Sequence, residues 1–134
     1  MTTIEPFSWP GAALAMPGAP APVEAPSRLR LTVTRPDRDT AVLAVAGELD
    51  ASTAPRLSEV VMARLRGTLH SLVVDLSKVD FLAAAGISVL VRANLLARHR
   101  GVALKIATGG NRHVSRALAI TGMTDHLVVD ERSR

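Results

Sequence analysis

The chain has 134 residues, of which 48% are hydrophobic, so one domain with a sizeable core is expected. It contains no cysteine, which excludes disulfides, thiolate metal sites and cysteine nucleophiles. All 16 basic residues and 10 of the 12 acidic residues follow position 27, which gives residues 28–134 a net charge of +6 and favours acidic partners.

Residues 1–27 hold six of the eight prolines, separated mainly by Ala and Gly. This composition predicts a disordered tail followed by one domain over residues 28–134. Because no Lys or Arg precedes Arg28 and no apolar run is long enough to span a bilayer, neither a secretory signal nor a membrane segment is expected. The sequence therefore predicts a cytoplasmic protein.

The first two strands are predicted from alternating apolar residues. In LRLTVTR the residues Leu29, Leu31 and Val33 share one face, and a Pro-Asp turn separates this strand from AVLAVAG at 41–47. The short polar connection favours an antiparallel hairpin.

Helical and strand patterns then alternate. A helix capped by Ser52 or Thr53 and ending at Gly67 is followed by the apolar run SLVVDL at 71–76, which is typical of a strand at the centre of a sheet. A second helix is predicted over 84–99, and the apolar residues expected to face inward are Ile87, Leu90, Val91 and Leu95.

The rest of the chain continues the alternation, with a strand at 102–107, a third helix from Asn111 to Ile120 and a strand at 126–130. The order ββαβαβαβ predicts an α/β fold, in which a mixed sheet begins with the hairpin, continues with parallel strands and is covered by helices.

Catalytic and metal-binding motifs are missing from the sequence. The four histidines, His70, His99, His113 and His126, have no partner at a metal-ligand spacing, and no serine lies in a nucleophile elbow. The arginines alternate with acids and form no groove-reading motif. We therefore expect a protein that is not an enzyme, has no catalytic residue, metal or cofactor, and does not bind nucleic acid.

Three segments remain as candidates for contacts. Asp50 precedes the first helix and can cap it. The run Ala83–Gly86 leaves the start of the second helix open to close approach, although Ala also favours helix initiation. Gly109, Gly110 and Asn111 precede the third helix, where backbone amides attract anions, but the segment has neither a Walker lysine nor the GxGxxG spacing, which favours a simple turn.

Three motifs support a resemblance to a known family: GELDASTAPRL at 47–57, VVDLSKVDFLAAAGISVLVRA at 73–93 and LKIATGGNRHVSRALAITGM at 104–123. Over residues 29–130 the chain resembles STAS domains of the anti-sigma factor antagonist type. The resemblance implies the STAS fold and a partner-switching role in transcription regulation, in which the domain binds an anti-sigma factor with a serine-kinase-type ATPase fold and does not contact DNA.

The chain departs from the family at the phosphorylation motif. The usual Asp-Ser-Ser-Gly is matched by Ala83-Ala84-Ala85-Gly86, so Ala85 stands at the phospho-acceptor position and cannot be phosphorylated. Ser52, Thr53 and Ser88 remain as substitute acceptors. The partner-binding residues implied by the resemblance, with Leu90 included on condition that it is exposed, are Asp50, Ser52, Thr53, Ala83, Ala84, Ala85, Gly86, Ile87 and Leu90.

The alternative function is a ligand-sensing or scaffold STAS module. Such a module would bind a nucleotide, a lipid or a multiprotein signalling complex near Gly109, Gly110 and Asn111.

Overall fold

The fold is seen in a computed structural model that describes residues 2–4, 28–122 and 129–130. Strands alternate with helices after an initial run of three strands. The elements are β1 (Thr2–Ile4), β2 (Leu29–Thr34), β3 (Thr40–Leu49), α1 (Ala54–Leu65), β4 (Ser71–Leu82), α2 (Ala84–His99), β5 (Ala103–Ala107), α3 (Arg112–Ile120) and β6 (Val129–Asp130).

The strands form one sheet in the order β1-β2-β3-β4-β5-β6. The pairs β1/β2 and β2/β3 are antiparallel, and every later pair is parallel. The predicted mixed α/β sheet is therefore confirmed, because each parallel step requires a helical crossover. On β2 the residues Leu29, Leu31 and Val33 are at most 1% exposed, as their alternation predicts.

The predicted disordered tail is wrong for its first residues. Thr2–Ile4 forms β1, with Ile4 opposite Leu31 of β2. Two threonines and an isoleucine have high strand propensity, and the free edge of β2 supplies the backbone partners that this short segment needs. Residues 5–27 lie outside the described part of the chain, as do residues 126–128 of the last predicted strand.

The central strand β4 is longer than predicted, since it runs to Leu82 and not to Leu76. Its second half contains the polar residues Ser77, Lys78 and Asp80, which follow the end of the apolar run. Register shifts in the β3/β4 pairing between Ala44 and Ala46 and between Gly47 and Glu48 allow β3 to follow β4 to its end. This extension carries the start of α2 to the edge of the sheet where β3 also ends.

Helix α2 has the predicted bounds, but one predicted core residue is wrong: Leu95 is 60% exposed. At about 100° per residue, Leu95 lies about 140° around the helix from Leu90, which is fully buried. Small residues such as Ala93 and Ala97 complete the buried face instead. The prediction failed because it counted large apolar residues and overlooked alanine.

Candidate contact surface

The ends of β3 and β4 lie side by side and bring two of the predicted segments together. The Ala83 amide donates to the Leu49 carbonyl at 2.9 Å, which joins the start of α2 to the turn that begins at Asp50. Ala51 and Ala85 line the same groove. We define the contact surface as the Asp50–Ser52 turn together with Ala83–Ala85.

The Asp50 carboxylate organises this turn. Its Oδ1 accepts hydrogen bonds from the Ser52 amide at 2.9 Å, the Ser52 hydroxyl at 2.7 Å and the Thr53 amide at 3.1 Å. The Asp50 carbonyl also accepts from the Ala54 amide at 2.8 Å. The Asp50 side chain therefore satisfies the amides of the turn that precedes α1, and only its carbonyl reaches the first amide of the helix. The predicted side-chain cap of α1 by Asp50, Ser52 or Thr53 is wrong, because Thr53 occupies the N-cap position and no side-chain hydrogen bond caps the helix.

Thr53 is an internal support of the turn and does not form part of its surface. The residue is 7% exposed, and its hydroxyl donates to the Glu48 carbonyl at 2.8 Å and accepts from the Asp50 amide at 2.9 Å. Both hydrogen-bonding directions of the hydroxyl are thus used within the fold. The prediction that Thr53 contacts a partner, or replaces the missing phospho-acceptor, does not fit this environment.

Sequence reasoning missed Arg28, which lies beside the turn. Its Nη1 is 2.9 Å from Asp50 Oδ2 and 3.1 Å from Glu48 Oε2, and its Nη2 donates to the Ser52 hydroxyl. The β2/β3 register, with Leu29 opposite Gly47, places Arg28 next to Glu48. Pairing the predicted strands in register would therefore have found this contact.

Gly47 makes the approach of Arg28 possible. Its φ is +103°, and a Cβ at this position would lie 2.0 Å from the Arg28 carbonyl oxygen. The same oxygen accepts a hydrogen bond from the Glu48 amide at 2.8 Å. Glycine is needed here for two reasons. The backbone has a conformation that residues with side chains rarely adopt, and the Arg28 backbone occupies the position where a side chain would lie.

The environment of Asp50 favours its ionised form. The Ser52 hydroxyl, then the backbone amides of Ser52 and Thr53 and the Arg28 guanidinium, hold the pKa of Asp50 below its ordinary value. Partial burial opposes this effect. The turn therefore presents a carboxylate whose charge and orientation are fixed by its neighbours.

The start of α2 is smooth and lacks a side-chain cap. Ala83 occupies the N-cap position with φ −95° and ψ 168°, and no side-chain hydrogen bond caps the helix. Ala84 is exposed, and Ala83 and Ala85 are half-buried. A methyl-lined helix start of this kind permits close approach of another backbone.

The predicted surface does not extend further along α2. Ile87 is 1% exposed and Leu90 is fully buried, so both belong to the core and the condition set for Leu90 is not met. Gly86 is also buried, and a Cβ there would lie 2.5 Å from Leu49 Cγ. These three residues anchor α2 against the sheet, because apolar residues one turn apart on a covered helix face inward.

Phe81 is a surface residue that sequence reasoning also missed. It lies two residues before Ala83 and is 53% exposed. Large aromatic side chains are enriched in protein interfaces because they bury much area at low entropic cost. The signal was available in the sequence, since residues 28–134 contain no other aromatic residue.

In the candidate ligand loop, Gly109–Asn111, the Asn111 side chain makes its hydrogen bonds within the fold. Asn111 Nδ2 reaches the carbonyl oxygens of Val79, Ser77 and Leu76 at 2.8, 3.1 and 3.4 Å, and its Oδ1 accepts from the His113 and Val114 amides at 3.1 and 3.4 Å. The Asn111 side chain is saturated as an N-cap and a tie to β4.

Gly109 and Gly110 complete this turn with φ values of +58° and +80°. A Cβ on Gly109 would lie 2.6 Å from Ser77 Cβ, so this loop packs directly on β4. The simple-turn interpretation explains all three residues.

Metal and membrane sites are absent from residues 2–4, 28–122 and 129–130. In these ranges no group of three or more histidine, cysteine or acidic side chains could hold a metal ion. No helix among them has the length and apolar character needed to cross a membrane.

Comparison with known proteins identifies the family. The family model described as "Mlab, STAS domain" matches residues 32–130. The chain belongs to the STAS family. This membership confirms the resemblance drawn from the motifs at 47–57, 73–93 and 104–123.

A curated relative of this STAS domain is the anti-sigma-F factor antagonist RsfB of Mycobacterium tuberculosis, 39% identical over 61 residues. The match covers 45% of this chain and 50% of RsfB, so the chain spans about half the length of this relative.

Solved structures share the fold. An anti-sigma factor antagonist from Mycobacterium paratuberculosis superposes with a TM-score of 0.66 at 24% identity, covering 78% of this chain and 87% of that one. A putative anti-sigma factor antagonist from Thermotoga maritima gives a TM-score of 0.67 at 18% identity, covering 75% and 86%.

Proposed function

We propose that this STAS domain is a non-catalytic anti-sigma factor antagonist that acts in the cytoplasm by binding an anti-sigma factor. The observation that carries the proposal is the contact surface itself, in which a small-residue helix start adjoins a carboxylate turn held by Arg28. The relatives named as antagonists support the same role.

The proposal includes the class of partner and the loss of one regulatory step. The partner is an anti-sigma factor with a serine-kinase-type ATPase fold. Ala85 has no oxygen to phosphorylate, so the partner cannot add at this position the charge of about −1.5 to −2 that a phosphate carries. Binding is therefore constitutive with respect to position 85.

The first experiment tests binding and its location. The full chain is titrated by calorimetry against each anti-sigma factor of the same genome, and at least one is expected to bind. Ala84→Arg should weaken that binding at least about tenfold, because a long cation blocks close approach at the helix start. Ala119→Arg on α3 is the matched control, since Ala119 is also an exposed helical alanine. Absence of binding to every anti-sigma factor contradicts the proposal.

The second experiment tests the missing acceptor. With the bound anti-sigma factor and ATP, Ala85→Ser is expected to become phosphorylated and the original chain to stay unmodified at position 85, as read by mass spectrometry of peptides. Ser88 lies one turn further along α2 and is exposed. The double variant Ala85→Ser with Ser88→Ala therefore distinguishes phosphorylation at position 85 from phosphorylation at position 88. Tight binding of Ala85→Ser without any phosphorylation would show that the partner is not a kinase for this surface.

A further inference from the structure

We propose that the groove between α1 and α2 is a second part of the partner interface and binds an acidic, amphipathic segment of the anti-sigma factor. The inference rests on the proposed function and specifies the chemistry of the partner. It is carried by the shape of the groove, by the charges along its two walls and by its continuity with the contact surface.

The groove is open and has a volume of about 560 Å³. Alanines and short apolar side chains form much of its lining, which leaves room for side chains of another protein. The lining residues are Ala51, Ala54, Pro55, Ser58, Glu59 and Met62, then Arg66, Ala85, Ser88, Val89 and Arg92.

Two arginines line this groove, one at the end of α1 and one on α2, and neither side chain has an internal partner among the described residues. Arg66 lies at the end of α1 and Arg92 lies on α2, and both are exposed. Neither guanidinium has a hydrogen bond or ion pair with the part of the chain that the structure describes. Glu59 is the acid among the lining residues, so the walls carry two positive charges against one negative charge.

The groove continues directly from the contact surface. Ala51 belongs to the Asp50–Ser52 turn and Ala85 to the helix start, and both also line the groove. A partner that covers the contact surface is therefore placed to extend a segment between α1 and α2. Rim charges beside such a surface steer association and select the partner more than they add affinity.

These features define the occupant. Its apolar side chains would lie against Ala51, Pro55 and Met62, which are exposed or half-buried, and its carboxylates would reach Arg66 and Arg92. Guanidinium groups favour carboxylates because the planar group donates two parallel hydrogen bonds. A basic segment is disfavoured by the two unpaired cations.

The test reverses both positive charges in the full chain. With the anti-sigma factor identified by titration, Arg66→Glu combined with Arg92→Glu is expected to weaken binding at least about tenfold, mainly through slower association, with the difference shrinking at high salt. Arg112→Glu combined with Arg116→Glu is the matched control, because these two exposed arginines lie on α3 and change the net charge equally.

Glu59 gives a prediction of opposite sign. Glu59→Gln removes the negative charge from the groove, so an acidic occupant should bind about two to three times more tightly. Weaker binding of Glu59→Gln would show that the occupant is basic at this point and would overturn the inference.

The outcomes separate the inference from the proposed function. If the original chain, the α3 control and the groove double variant all bind the anti-sigma factor equally well, the groove lies outside the interface. In that case only the inference fails. If the original chain binds no anti-sigma factor, both fail. Circular dichroism and urea unfolding of each variant distinguish lost contact from lost folding.

Discussion

At the scale of single residues, the Asp50 carboxylate is held by three different kinds of donor: a hydroxyl, backbone amides and a guanidinium. The hydroxyl of Ser52 has the largest effect on its pKa and Arg28 the smallest. The pKa of Asp50 thus depends more on the Ser52 hydroxyl, 2.7 Å from Oδ1, than on the Arg28 guanidinium, 2.9 Å from Oδ2.

This order gives a prediction for the pKa of Asp50. Ser52→Ala should raise the pKa towards its ordinary value by more than Arg28→Ala does, because it removes the strongest of the donors. Carbon-detected NMR titration of the Asp50 carboxyl measures both shifts. Ser58→Ala, on the groove side of α1, is the control and should leave the Asp50 pKa unchanged. A larger shift in Arg28→Ala would contradict the assigned order.

The same carboxylate makes stability depend on pH. Because its folded pKa lies below the ordinary value of 3.8, ionised Asp50 stabilises the fold above about that pH, and this contribution is lost as pH falls through the folded pKa. Compared with Asp50→Asn, which does not titrate, the original chain should lose its relative advantage only in acid, as measured by urea unfolding across pH. An advantage that grows on acidification would refute this assignment.

At the scale of elements, α2 begins without a capping side chain although its N-cap backbone is extended. Ala83→Asp should therefore raise the free energy of unfolding by about 1 kcal/mol, because its carboxylate can accept the free amides of the first turn. Ala84→Asp is the control, as it adds the same charge near the helix dipole without the N-cap position. Equal stabilisation by both variants in urea unfolding would show that charge alone is responsible.

The helices were more predictable than the central strand. Local signals fix helix ends, as with Pro55 in the first turn of α1 and Gly101 after α2, and these positions agree with the structure. The second half of β4 carries polar residues and is a strand because β3 pairs with it and Asn111 binds its carbonyls. Such long-range partners leave no periodic mark in the strand's own sequence.

The contact surface was predictable only in outline. Motif positions identified Asp50 and Ala83–Ala85, and topology explains why they meet at the ends of adjacent parallel strands. The sequence did not reveal which of these residues are exposed, because Ile87 and Leu90 follow the motif in sequence but are buried against the sheet. Arg28 lies outside the matched motifs and reaches the surface through strand pairing.

At the scale of the whole molecule, the buried core cluster lies between Leu29 and Leu118. Deletion of residues 1–27 should therefore leave a cooperatively folding domain with a modest loss of stability from β1, as measured by urea unfolding. A full-length variant with residues 5–27 in shuffled order retains β1 and is expected to match the original chain. Loss of cooperativity after the deletion would contradict a domain boundary near residue 28.

The tie made by Asn111 has a consequence for how freely the end of β4 can change. Its amide binds the main-chain carbonyls of Leu76, Ser77 and Val79, which every amino acid possesses. The exposed residues Lys78 and Asp80 can therefore be substituted, for example to alter solubility or to attach a probe, without loss of the Asn111 hydrogen bonds. The same freedom does not extend to position 111, where one side chain serves both the strand and the helix.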